Sequence, residues 1–146
     1  MQHIEHDKFT VIGLSARVSN DDPSGIAAIW ARFQENPGLG GFADKASPDL
    51  YCVYHDYEGD HTAPYRMTVG YRVPAATACP AGLSQVDIPV QNMARFDASG
   101  PQPGALMAQW QRIWASNLDR AYRADFDLYD ATQDGRVTVH VGLRTG

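Results

Sequence analysis

One carboxylate, Asp127, lies in an otherwise apolar segment, between Phe126 and the pair Leu128 and Tyr129. A buried carboxylate without a partner is costly and tends to have a raised pKa. That cost becomes a gain when a cation pairs with it, and each well-placed aromatic ring adds about 0.5–2 kcal/mol of attraction for the cation. These residue types indicate a pocket for a hydrophobic cation. The alternative is that Asp127 faces solvent as an ordinary surface carboxylate.

Aromatic residues that could line such a pocket occur in both halves of the chain. They are Tyr51, Tyr71, Phe96, Trp110, Trp114 and Tyr129. Trp110 and Trp114 are at helical spacing, a pattern more typical of a helix core face than of a ligand cage. We nevertheless predict that Asp127 and all six of these rings form the ligand-binding set.

Other chemistry has weaker support in the sequence. His3 and His6 could chelate a metal, but we expect them at a frayed end. Cys52 and Cys79 lack the second pair that a zinc site requires. The acidic segment 56–61 lacks the sixth-position glycine and the final glutamate of a calcium-binding loop. The sequence contains no Gly-x-Ser-x-Gly nucleophile motif. We expect no cofactor, no metal site and no set of catalytic residues.

Composition limits the class of protein. The 146 residues, 44% of them hydrophobic, suffice for one compact domain spanning 1–146. The formal net charge of −5 argues against direct nucleic-acid binding, which requires clustered Lys and Arg. We find neither a secretory signal nor a membrane-length apolar run, so we expect a cytoplasmic protein with both cysteines as free thiols.

The elements that must position Asp127 follow from the apolar periodicity. Alternation predicts strands, the helical spacing of Ile26, Ile29, Trp30 and Phe33 predicts a first helix, and Trp110 lies on the apolar face of a second. The predicted strands cover 9–18, 50–57, 65–73, 90–98, 125–130 and 136–144, the second helix covers 104–118, and an irregular connector covers 74–88. The order is β-α-β-β, connector, β-α-β-β.

This order is an internal repeat, about 1–73 and 89–146. Segment 49–53 aligns with 125–129, which pairs Tyr51 with Asp127, and Trp30 aligns with Trp110. One repeat cannot cover its own sheet face, whereas two related by a pseudo-two-fold axis share a core and leave a central cleft. We therefore expect an α+β fold in which two helices pack on an antiparallel sheet. Tyr51 and Asp127 would then lie across the cleft from each other.

Several motifs in this order resemble the GyrI-like family of effector-binding domains over nearly the whole chain. They are Gly100-Pro101-Gln102-Pro103-Gly104-Ala105-Leu106 followed by Trp110, Ile113 and Trp114, then Asp125-Phe126-Asp127-Leu128-Tyr129-Asp130, and in the first half Leu50-Tyr51-Cys52-Val53-Tyr54 with Val69-Gly70-Tyr71-Arg72-Val73. The resemblance implies a duplicated, SHS2-like β-α-β-β fold with a central small-molecule pocket. Related domains follow DNA-binding domains in AraC-type and MerR-type transcription regulators and bind multiple drugs, often lipophilic cations.

The resemblance leaves three functions open. In order of preference, they are binding of a hydrophobic, cationic molecule for sensing or sequestration, hydrolysis of a small strained ketone, and modulation of a partner protein such as a topoisomerase or a regulator. Edge strands could also pair two copies into a homodimer. The family's pocket usually carries glutamate in a Phe-Glu-x-Tyr setting, where this chain has Asp127. The shorter side chain argues against the hydrolase, in which Asp127 would be the general base with Tyr129 or Tyr51 as oxyanion donor.

Overall fold

The computed structural model describes residues 2–35 and 48–144, in which eight strands and two helices occur. In chain order they are β1 (Gln2–His6), β2 (Phe9–Val18), α1 (Pro23–Gln34), β3 (Leu50–His55), β4 (Tyr65–Val73), β5 (Ser84–Ile88), β6 (Gln91–Asp97), α2 (Gly104–Trp114), β7 (Ala124–Tyr129) and β8 (Val137–Gly142). The strands form one antiparallel sheet in the order β1-β6-β8-β7-β3-β4-β2-β5. The predicted α+β fold is confirmed.

The strand order reads the same outward in both directions from the central β7–β3 pair. On one side follow β8, β6 and β1, and on the other β4, β2 and β5. Two β-α-β-β modules, each extended by one further strand, generate this order. It is the order expected of the predicted repeat, while the pseudo-two-fold axis itself stays a prediction.

Two strands are missing from the sequence prediction. The N-terminus was expected to fray, yet Gln2–His6 pairs with β6, and the segment expected to be irregular contains Ser84–Ile88, which pairs with β2. Both are edge strands whose residues are mostly exposed. Apolar periodicity is therefore weak in them, because only part of one face is buried.

The sheet is strongly curved, as its connections require. β1 lies at one edge and β2 next to the other edge, yet only Asp7 and Lys8 join them. Three Cα–Cα steps span at most about 11 Å, whereas six strand intervals of a flat sheet would span about 28 Å. The sheet therefore curls and encloses a core on its inner face. This core consists of Phe9, Val11, Tyr51, Val53, Val86, Ile88, Met93, Ala124 and Phe126.

The two helices lie on the outer face of the sheet. The side chain of Asp22 accepts a hydrogen bond from the Ser24 backbone N–H and caps the start of α1. Ile29 of α1 packs in a cluster with strands β2, β3 and β4, and α2 buries Leu106, Trp110 and Ile113 in a second cluster with β8. Tyr54 and Tyr129 pack against both clusters. The central strands β3 and β7 therefore lie beneath the junction of the two clusters.

The helix boundaries differ little from the prediction. The second helix ends at Trp114 rather than near 118. The predicted end of the first helix at 36–38 and most of the predicted loop 38–48 lie outside the described residues.

Candidate ligand pocket

The candidate carboxylate is fully buried beneath α2. Strand alternation places Asp127 on the helix side of β7, whereas Phe126 belongs to the inner core. Trp110 donates from its indole nitrogen to Oδ1 of Asp127 at 2.9 Å, and the Tyr54 hydroxyl donates to Oδ2 at 2.5 Å. The side chain is 0% exposed. This excludes the alternative that Asp127 is an ordinary surface carboxylate.

The environment of Asp127 favours its protonated form more than water does. Burial raises the pKa of Asp127 to about 7, with a smaller contribution from the nearby charge of Asp125, against the lowering effect of the Tyr54 and Trp110 donors. Burial also raises the pKa of Tyr54 well above its ordinary value, so its hydroxyl keeps its proton. Near neutral pH, Asp127 is therefore ready to ionise when a positive charge arrives.

A cavity of about 100 Å³ lies directly in front of this carboxylate. Its lining residues are Asn20, Ile26, Tyr54, Tyr57, His61, Tyr65, Met107, Trp110, Trp114 and Arg120. They come from the turn before α1 and its first residues, from β3 and β4 with the loop between them, from α2, and from the segment that follows α2. Asp127 is one side chain behind the surface, because its two donors, Tyr54 and Trp110, form part of the wall.

The walls of the cavity are aromatic edges and faces. The rings of Tyr54 and Trp110 meet edge to face, with centroids 5.5 Å apart, and the Tyr54 and Tyr65 rings meet in the same way at 5.7 Å. The His61 ring stacks on Trp114 at 5.7 Å and 7°. This geometry presents several ring surfaces to one small volume, which is the arrangement that attracts an organic cation.

A second buried carboxylate, Asp125, lies on the same strand face and is already neutralised. Arg120 donates from Nη2 to Oδ2 of Asp125 at 2.8 Å, the Tyr57 hydroxyl donates to the same oxygen at 2.5 Å, and the Gly142 backbone N–H donates to Oδ1 at 2.7 Å. Burial alone would lower the pKa of Arg120, but the charge of Asp125 raises it. Arg120 and Asp125 therefore form a balanced ion pair, whereas Asp127 has no ion-pair partner within the described residues.

The structure brings together three of the predicted site residues. Trp110 and Trp114 line the cavity, and Asp127 lies behind it. Tyr51 is elsewhere, on the inner face of the sheet, where its ring packs against Phe9 and Phe126.

The prediction that Tyr51 lies across from Asp127 is wrong, because Cys52 is the cross-strand partner of Asp127. The repeat alignment was displaced by one residue, and a one-residue slip moves a strand side chain to the other face of the sheet. Aligning 50–54 with 125–129 restores the correct faces.

The other predicted rings belong to the neighbouring packing clusters. Tyr129 meets the Trp30 ring with centroids 5.6 Å apart, and Tyr71 meets Phe33 at 6.1 Å, both beside α1. Phe96 packs against the cluster beneath α2. None of these three is among the residues that line the cavity within the described chain.

Sequence reasoning missed most of the wall. Tyr54 is two residues after Cys52 and therefore shares its face, and Tyr65 begins the alternation that continues through Met67, so a correct register would have identified both. Arg120 lies in an irregular segment after α2 and gives no periodic signal. Its ion pair with Asp125 appears only in the folded chain.

The described residues contain neither a metal-binding cluster nor a membrane-spanning helix. Across 2–35 and 48–144, no group of three His, Cys, Asp or Glu side chains is placed to hold a metal ion. Neither helix in that part of the chain is long and apolar enough to cross a membrane.

Comparison with known families identifies the class of this chain. The family model of Cass2, described as an integron-associated effector binding protein, matches residues 4–143. The chain belongs to this effector-binding family. The resemblance to GyrI-like domains is thereby confirmed. Proteins of this family are described as binding an effector, that is, a small molecule. A search of curated proteins finds no match.

Solved structures share this fold at low sequence identity. An integron cassette protein of Vibrio cholerae is 21% identical with a TM-score of 0.77, covering 98% of this chain and 95% of that one. SAV2435, solved with bound tetraphenylphosphonium, is 15% identical with a TM-score of 0.78, covering 98% and 93%. The C-terminal domain of EcmrR is 16% identical with a TM-score of 0.60, covering 99% and 97%.

Proposed function

We propose that the cavity in front of Asp127 binds a hydrophobic, cationic organic molecule, for sensing or sequestration. The observation that carries this proposal is a fully buried carboxyl group whose two hydrogen-bond donors, Tyr54 and Trp110, are themselves walls of the cavity. An occupant that contacts these rings comes within one side chain of the carboxylate. SAV2435, which shares the fold, has been solved with a lipophilic cation.

The charges around the cavity favour a cation over a neutral molecule of the same shape. Arg120 is paired with Asp125, so its positive charge is already balanced. Asp127 then contributes the uncompensated negative charge when it ionises. In a buried site this charge is weakly screened, and the surrounding rings add further attraction.

The volume of the cavity limits what it can hold without rearrangement. About 100 Å³ is small beside the roughly 300–1,000 Å³ typical of pockets for drug-sized ligands. A trimethylammonium group is of suitable size, whereas a larger ligand requires the walls to separate. Separating the walls on the His61 side would break a hydrogen bond from Asn20 to the His61 carbonyl and the stack of the His61 ring on Trp114.

A matched pair of ligands tests the electrostatic part of this proposal. Benzyltrimethylammonium and neopentylbenzene have nearly the same shape and differ by one positive charge. NMR titration at pH 8 should show that the wild type binds the cation at least tenfold more tightly. Asp127→Asn should lose most of that preference, keeping only the contribution of the rings, and should leave affinity for neopentylbenzene unchanged.

A second variant controls for net charge. Asp134 is exposed in the turn between β7 and β8 and is not among the residues that line the cavity, so Asp134→Asn removes one negative charge from outside the cavity wall. It should retain the preference for the cation. Equal affinities of the wild type for the two ligands, or equal losses in the two variants, would contradict the proposal. Tetraphenylphosphonium provides a larger probe for the same comparison.

A further inference from the structure

Arg120 has donor atoms that no described residue engages. The side chain is 5% exposed, and Nη2 is engaged by Asp125 at 2.8 Å. Within the described residues, Nε and Nη1 have no hydrogen-bond partner although both atoms are buried. Because a buried donor without an acceptor is unfavourable, this unused capacity indicates that another molecule supplies an acceptor.

Arg120 also lines the cavity, whose other buried polar groups are occupied. Tyr57 donates to Asp125, Tyr65 donates to the side-chain oxygen of Asn20, and Asn20 donates to the His61 carbonyl. In the described part of the wall, the buried donors left for an occupant are therefore those of Arg120.

The guanidinium group is held rigidly enough to recognise a specific group. Its carbon lies 4.3 Å from the centroid of the Tyr122 ring and 5.6 Å from that of Trp110, and Asp125 fixes one nitrogen. Stacking and ion pairing together determine the plane of the guanidinium, and its N–H groups donate within that plane. A ligand acceptor must therefore approach in a defined direction.

The local charge balance determines which kind of acceptor fits. Arg120 and Asp125 already neutralise each other, and Asp127 adds a carboxyl group nearby. A carboxylate on the ligand would place a further negative charge in a buried site. A carbonyl oxygen would satisfy the donors without adding charge.

We propose that the occupant of the cavity carries a neutral carbonyl-type oxygen that accepts a hydrogen bond from Arg120. This rests on the proposed function in that the cavity must hold a small molecule, and it adds a chemical requirement to the ligand. The cavity then recognises two features of its ligand, a positive charge through Asp127 and a neutral acceptor through Arg120.

Four probes separate these two features. 4-Acetylbenzyltrimethylammonium and 4-isopropenylbenzyltrimethylammonium are cations of nearly equal shape, the first with C=O where the second has C=CH₂. Acetophenone and α-methylstyrene are the corresponding neutral pair. NMR titration of the wild type should show that each ketone binds about tenfold more tightly than its alkene partner.

Two measurements locate the effect at Arg120. In the wild type, the Nε–H signal of Arg120, assigned through its contacts with the Tyr122 ring, should shift with the ketones and not with the alkenes. Arg120→Lys keeps a positive charge beside Asp125 but removes the Nε and Nη1 donors and the plane that directs them, so the preference for ketones should fall several-fold. Arg112→Lys, at an exposed position on α2, is the matched control and should retain it.

Each outcome decides the proposal. If both cations bind but the ketones have no advantage, the acceptor proposal is overturned and the proposed function stands. If ketones are preferred in the neutral pair while no cation binds, the acceptor proposal stands and the cationic part of the proposed function fails. If none of the four probes binds, both are overturned.

Discussion

Binding of a cation in front of Asp127 should be coupled to loss of a proton. The pKa of Asp127 is raised to about 7, chiefly by burial, and only the ionised form pairs with a cation. With this pKa, about 10% of Asp127 is ionised at pH 6 and about 90% at pH 8. The affinity for benzyltrimethylammonium should therefore rise about eightfold to tenfold over that interval.

Calorimetry in buffers of different ionisation enthalpy measures the proton directly. Binding at pH 6 should release about 0.9 protons and binding at pH 8 about 0.1, because the carboxyl group is mostly protonated at the lower pH and mostly ionised at the higher one. Neopentylbenzene should release none at either pH. Asp127→Asn should bind the cation weakly and without pH dependence.

Equal affinity of the wild type for the cation at pH 6 and pH 8 would show that cation binding is not coupled to ionisation of Asp127. A pH dependence that persists in Asp127→Asn would contradict the coupling as well, since another group would then be responsible. Asp134→Asn provides the control, because an exposed carboxylate should leave both proton release and the pH profile unchanged.

Further predictions concern hydrogen bonding, stability and packing. Trp110→Phe removes a donor to ionised Asp127, so the midpoint of the pH dependence of cation affinity should move up by about one pH unit. Between pH 4 and 7 the folded state binds more protons at Asp127 than the unfolded state, so the contribution of Asp127 to stability should fall by about 3 kcal/mol as pH rises. Urea titrations of Asp127→Asn should lack this contribution. His140 has the opposite sign: burial lowers its pKa to about 4, so the contribution of His140 to stability should fall by about 3 kcal/mol as pH decreases from 6.5 to 4. His140→Leu should remove this contribution, which in the wild type offsets part of that of Asp127. Gly13→Ala should destabilise by about 3 kcal/mol or more in urea titrations, because the new Cβ would lie 2.0 Å from a backbone oxygen of β4. At Gly25 in α1 the nearest atom is 3.6 Å away, so the same change should be neutral or stabilise by up to about 1 kcal/mol.

The sequence predicted the strands and helices that have a well-defined buried face. β2 and β4 were predicted with the bounds that the structure gives, because both show enough apolar residues to fix their limits. The edge strands β1 and β5 were missed, since their pairing depends on the curvature of the sheet rather than on their own residue pattern. The curvature of the sheet follows from short links between strands at opposite edges, such as Asp7 and Lys8 between β1 and β2. The residue pattern of a single segment does not reveal it.

The sequence predicted the central carboxylate of the candidate site and one of its donors, but not most of the residues that line the cavity. Asp127 and Trp110 could be chosen because a carboxylate in an apolar strand and a tryptophan on a helix face are each visible locally. Tyr51 was misplaced because the period of a strand is two and the repeat alignment was one residue out of register. Arg120 was missed because its partner Asp125 is identified by three-dimensional proximity, not by spacing.

The most direct test of the central claim is to locate a bound cation by NMR with ¹³C-methyl-labelled methionine. Met107 lies at the cavity and is 46% exposed, whereas Met67 and Met93 are buried in the packed core and serve as internal references. Tetraphenylphosphonium should show ring-to-methyl contacts with Met107 and with the indole of Trp114, and none with Met67 or Met93. Binding without contacts to Met107, or contacts on another surface, would show that this cavity is not the ligand site.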